Sequence, residues 1–101
     1  PGLPLEKMPG GVDFKQKYEA KYGQIQLYEP FAYDAANILI DAMKRAGSTE
    51  PNKYLPEMSK TNYTGVIGTV SFDEKGDIKN GPVSVYEVKD GKWVAIDTIG
   101  G

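Results

Sequence analysis

The chain has 101 residues, 40% of them hydrophobic and 26% charged, with twelve Lys+Arg against fourteen Asp+Glu and a net charge of -2. That is the composition of one globular domain with a modest core; no apolar run approaches the ~20 residues of a membrane span, and an acidic balance with Arg45 as its one arginine speaks against nucleic-acid binding. Histidine and cysteine are both absent, which removes imidazole bases, thiol nucleophiles, structural zinc sites and disulfides.

Residues 1–11 hold three prolines and three glycines and read as an irregular lead-in. The opening Pro1-Gly2-Leu3-Pro4 lacks an initiator Met and a signal peptide's basic and apolar regions, so a piece of a longer chain is expected. A helix follows from about Val12 to Tyr22, with Phe14 and Tyr18 one turn apart, Asp13 placed to pair with Lys17, and Gly23 as its stop. Gln24 to Leu27 alternates polar and apolar residues, as a short half-buried strand does.

The strongest helix signal runs from about Pro30 to Ala46. Ala35, Ile38, Leu39, Ala42, Met43 and Ala46 make one apolar stripe, with Asp34, Asn37, Asp41, Lys44 and Arg45 opposite; acids come early and bases late, and Gly47 closes it. Ile38, Leu39 and Met43 are expected to be buried against a sheet. Ser48-Thr49-Glu50-Pro51 caps and starts a shorter helix in which Pro56 predicts a kink or restart.

Beyond that point the period changes. Val66 to Phe72 is a predicted strand, and Asp73-Glu74-Lys75-Gly76-Asp77 is a polar turn. Val83 to Val88 and Trp93 to Thr98 are β-rich runs on either side of Lys89-Asp90-Gly91-Lys92, and Asp-Gly between such runs signals a hairpin. The order of elements predicts an α/β chain.

Few residues carry recognisable chemistry. An EF-hand loop starting at Asp73 would need an oxygen ligand where Lys75 stands, glycine where Ile78 stands and glutamate where Ser84 stands, so turn chemistry accounts for this segment. Gly10-Gly11 and Gly65-x-x-Gly68 lack the spacing of a phosphate loop, and no carboxylate pair stands out as general acid and base. Neither a metal nor a cofactor is expected. Most of the seven tyrosines read as amphipathic packing residues. The run Tyr28-Glu29-Pro30-Phe31-Ala32-Tyr33 differs, because it joins a predicted strand to the start of the main helix, where α/β folds collect small ligands.

Four stretches resemble the C-terminal part of the periplasmic branched-chain amino-acid-binding proteins of ABC transporters: Gly2-Leu3-Pro4-Leu5, the run from Tyr28 to Ala35, Ala42-Met43-Lys44-Arg45-Ala46-Gly47-Ser48, and Gly68-Thr69-Val70-Ser71-Phe72-Asp73-Glu74-Lys75-Gly76-Asp77. The last is the most specific. The resemblance covers nearly the whole chain but only about the last third of a family member. It implies part of a two-lobed type I periplasmic-binding fold, with helices on a mainly parallel sheet and a C-terminal β-hairpin. Residues 1–81 would belong mainly to the N-terminal lobe, and residues 82–101 would supply a hinge-crossing strand and a hairpin of the other lobe.

The same resemblance places a ligand-facing aromatic at Tyr28, partly exposed at the sheet's C-terminal edge, where branched-chain binders often have phenylalanine; the extra hydroxyl suits a larger or more polar substrate. The implied function is amino-acid capture in an interlobe cleft in the periplasm, without catalysis, with a membrane permease as partner of the full protein. Apolar faces and strand edges covered by other parts of the family fold predict self-association of the isolated chain. Competing functions are a type I module for another small acid, the sensor domain of a receptor, a carboxylate enzyme and a free-standing interaction domain. An enzyme would need two acids in mutual reach in a polar pocket, and an interaction domain would need self-sufficient edges.

Overall fold

The structure, a computed structural model, describes residues 2–101. A 3-10 turn at Leu5–Lys7 leads into α1 (Gly11–Tyr22), followed by α2 (Glu29–Ala46), α3 (Pro51–Met58), β1 (Asn62–Gly65), β2 (Gly68–Ser71), β3 (Val83–Lys89) and β4 (Lys92–Ile99). The three helices lie within a residue of their predicted starts. Gly23 ends α1 at φ 87°, and Gly47 ends α2 in the left-handed region at φ 66°, where the Ser48 N–H reaches back to the Met43 carbonyl at 3.2 Å.

The covered face of α2 differs from the expected one. Pro30, Asp34, Ile38 and Ala42 are buried, one every four residues, and they form a single row along the helix. Leu39 is 39% exposed and Met43 is half-buried, and among the described residues α2 packs chiefly on α3 and not on a sheet. Asp34, assigned to the polar face, is only 1% exposed. The row is set by what α2 meets on its buried side: the β1–β2 turn at Asp34, and α3 near Arg45. That guanidinium bonds the Asp41 carboxylate on its own helix and donates to the Glu57 carbonyl at 2.7 Å.

α3 continues through Pro56 without a restart, the other outcome expected there besides a kink. The missing donor deprives only the Asn52 carbonyl, and both residues face water, which can satisfy it. The single strand predicted over Val66 to Phe72 is instead a hairpin, with β1 antiparallel to β2, Gly65 opposite Gly68 and Val66-Ile67 as its turn. Asp73 behaves as turn chemistry requires: its carboxylate accepts the N–H groups of Lys75 at 2.8 Å and Asp77 at 3.0 Å. The second hairpin forms where Asp-Gly predicted it, with Asp90 at φ 51° and Gly91 at φ 75°, the two left-handed residues a type I′ turn demands.

Gln24 to Leu27 forms no strand. A half-buried pattern marks one face of a sheet, but a strand also needs a neighbour to bond, and none pairs with this segment among the described residues. For the same reason the mainly parallel sheet is not assembled here: both sheets are antiparallel pairs, and the one parallel pairing among the described residues is the Gly2–Val83 bridge. There the Gly2 N–H donates to the Pro82 carbonyl at 3.1 Å and Ser84 Oγ donates to the Gly2 carbonyl at 2.6 Å, tying the start of the chain to β3.

The hydrophobic core is small, with Met8, Ile38, Ala42 and Val70 as its buried members. The accessible surface is 7246 Å² and the radius of gyration 15.6 Å. A compact monomer of this mass exposes about 5,700 Å² and has a radius near ~13 Å. Much apolar surface therefore stays open, on the helices as well as on the β3–β4 hairpin, where Trp93 is 75% exposed.

Candidate ligand-binding site

The loop before α2 is built by two carboxylates. Glu19 on α1 accepts the Ile25 N–H at 3.2 Å, and Glu29, the first residue of α2, accepts the N–H of Gln26 at 2.8 Å and of Leu27 at 2.9 Å, one on each oxygen. These bonds replace the ladder that a strand would have supplied. The N–H of Gln26, that of Glu29 itself and that of Leu27 hold the Glu29 carboxyl below its ordinary value. Each of its oxygens thus already accepts one main-chain N–H of the loop.

Tyr28 lies between loop and helix. It is the N-cap residue of α2, its carbonyl accepts the Ala32 N–H at 2.9 Å, and its ring is 64% exposed. It is exposed as expected, though at a helix start and not at a sheet edge. Two clefts flank it. One, of about 790 Å³, is bordered by Phe14, Tyr18, Tyr33 and Tyr63 and by Glu29. The other, of about 620 Å³, takes in Leu27, Phe31, Tyr86 and Trp93. Tyr28 lines neither, although its sequence neighbours Glu29 and Leu27 line one each.

The first cleft has an aromatic wall. Phe14 stacks on Tyr18 at 5.6 Å between ring centres and meets Tyr33 at 5.3 Å, and Tyr18 meets Tyr22 at 5.1 Å. Its carboxylates have partners: Asp13 pairs with Lys17 at 2.9 Å and raises the lysine's pKa, and Asp34 accepts the N–H groups of Val66 at 3.0 Å and Ile67 at 2.8 Å. The Asp34 carboxylate, bonded to two main-chain donors, fixes the backbone of the β1–β2 turn. Among the described residues no group of three or more acidic side chains converges as a metal site would require.

The structural roles of Glu29 and Asp34 were not read from the sequence. The signal for Asp34 was its place in the four-residue row Pro30, Asp34, Ile38, Ala42; Glu29 left only the weaker sign of an acid at a helix start.

The architecture has a counterpart among solved proteins. A crystal structure of the leucine-binding protein LivK from Thermotoga maritima superposes with a TM-score of 0.79 at 30% identity, covering 98% of this chain and 29% of that one. The fold is thus part of the type I periplasmic-binding fold. The family model described as "Periplasmic binding protein" matches residues 3–92, and the chain belongs to that family, which is one of binding proteins. A Leu/Ile/Val-binding protein homolog 1 from Brucella suis is 30% identical over 89 residues, 84% of this chain and 24% of that protein. The leucine-, isoleucine-, valine-, threonine- and alanine-binding protein of Pseudomonas aeruginosa is 34% identical over 56 residues, 55% of this chain and 15% of that protein. The chain spans about a quarter or less of the length of these curated relatives.

Proposed function

We propose that this chain is the C-terminal part of the substrate-binding subunit of an ABC importer, which captures a branched-chain or related amino acid between two lobes in the periplasm and delivers it to a membrane permease. The observation that carries this reading is the family match over residues 3–92, joined by relatives named for Leu, Ile and Val binding. Binding rather than catalysis is the role that the family match supports. No helix among the described residues is long and apolar enough to cross a membrane.

Residues 1–81 belong, in this reading, mainly to the N-terminal lobe, and residues 82–101 supply the last hinge-crossing strand and the hairpin of the other. Tyr28 contributes an apolar wall to the ligand site. Its exposure and fixed backbone support that role, because an exposed ring on a braced loop can meet a ligand without being reordered. The test is calorimetric titration of the full-length protein with leucine, isoleucine and valine. Saturable binding of at least one, weakened by Tyr28→Ala, is expected; heat only of dilution with all three would refute the reading.

A further inference from the structure

The segment from Gly23 to Tyr28 has no regular secondary structure, yet three of its N–H groups are bonded to carboxylates. Two of the three go to one side chain, Glu29, which belongs to the adjoining helix and folds back over the loop. Tyr28 lies inside that closed link, between the donors Gln26 and Leu27 and their acceptor. Its own carbonyl is held at the same time by the Ala32 N–H of the first helical turn. The backbone at Tyr28 is thus fixed from both sides while its ring remains exposed.

We infer that Glu29 is a positioning residue for the ligand site: by clamping the N–H groups of Gln26 and Leu27, it holds the Tyr28 ring ready for the ligand without touching the ligand itself. The inference rests on the proposed role of Tyr28. A loop ordered in advance spares binding the entropy cost of ordering it, and the loop has no ladder of its own to do so. One N–H of the loop on each Glu29 oxygen is the geometry this positioning role requires.

The experiment uses the full-length protein with L-leucine as probe. Four variants are compared by calorimetry: Tyr28→Ala, Glu29→Ala, Glu29→Gln and the double Tyr28→Ala/Glu29→Ala. Amide hydrogen exchange at Gln26 and Leu27 is followed without ligand. Slow exchange at both amides is expected in the unaltered protein, fast exchange in Glu29→Ala and an intermediate rate in Glu29→Gln. Glu29→Ala should weaken leucine binding roughly three- to tenfold, with partial recovery in Glu29→Gln. The double variant should bind no more weakly than Tyr28→Ala, because the clamp acts through that ring. Unprotected amides in the unaltered protein, or additive losses in the double variant, overturn the inference. So does an effect of Tyr28→Ala with none from Glu29→Ala, which leaves the Tyr28 reading standing. Leucine binding that is absent, or indifferent to Tyr28→Ala, overturns that reading and the inference with it.

Discussion

The Asp34 carboxylate and the Ile67 N–H meet at 2.8 Å across 33 positions of sequence, and its other oxygen takes the Val66 N–H at 3.0 Å. Val66 and Ile67 are β-branched and poor turn residues. The turn they make between β1 and β2 is held by a buried anion from α2 instead of by its own sequence. Gly65 completes the arrangement: a Cβ there would lie 2.5 Å from Asp34 Oδ1.

Asp34→Ala should therefore destabilise the full-length protein by about 2–4 kcal/mol, since it strands two part-buried N–H groups, and Asp34→Asn by roughly half as much because one acceptor survives. Gly65→Ala should also destabilise, but much less in the Asp34→Ala background, where the obstructing carboxylate is gone. Urea midpoints of the three single variants and of the Asp34→Ala/Gly65→Ala double variant measure this coupling. Equal costs of Gly65→Ala in both backgrounds would show that the carboxylate does not set the fit.

Tyr28→Ala should weaken ligand binding by roughly 1–3 kcal/mol through lost apolar contact and leave folding nearly unchanged, as the ring is exposed. Ile38→Ala opens a cavity beneath α2 and should cost about 2–5 kcal/mol of stability. Leu39→Ala should cost well under half of that, because Leu39 is 39% exposed. Melting temperatures of the three variants give the order; a larger loss at Leu39 than at Ile38 would place the buried face of α2 where periodicity first put it.

The reading of α2 shows how far the sequence reaches. Its length, its Gly47 stop and its amphipathic character are local properties and were legible, as was the Asp90-Gly91 hairpin. Which row of α2 is covered was not, because that depends on a turn 32 residues away taking Asp34 as its acceptor. The segment Gln24 to Leu27 failed for a related reason: alternation marks a face, but strand formation is a property of a pair. At the candidate site, Tyr28 stood out by type and context, whereas the clamp of Glu29 depends on the path of a loop that no periodicity describes.

Acid should loosen that loop. The Glu29 carboxyl is held below its ordinary value, so its contribution is complete above the usual carboxylate range near ~4.3 and is lost as pH falls through the lowered folded-state value. The amide signals of Gln26 and Leu27 should titrate in that acid window and cease to do so in Glu29→Gln. Glu19, which holds Ile25, remains in both proteins and serves as the internal control. Titration of the two amides that persists in Glu29→Gln would assign the effect to another group.

The isolated 101-residue chain should self-associate. Its surface exceeds that of a compact monomer, Trp93 and Ile99 are 75% and 63% exposed, and both antiparallel pairs leave open edges. Light scattering across a concentration series should show growing mass; a monomer at all concentrations with one cooperative melt would mark an autonomous domain.

The most direct measurement of the central claim is the melting temperature of the full-length protein against a panel of the common amino acids. A ligand that binds only the native state at a hundred times its Kd stabilises it by about 2.7 kcal/mol. Leucine, isoleucine or valine should raise the melting temperature while acidic and basic amino acids leave it unchanged. A protein whose melting temperature no amino acid moves, or which responds only to a charged one, contradicts the account.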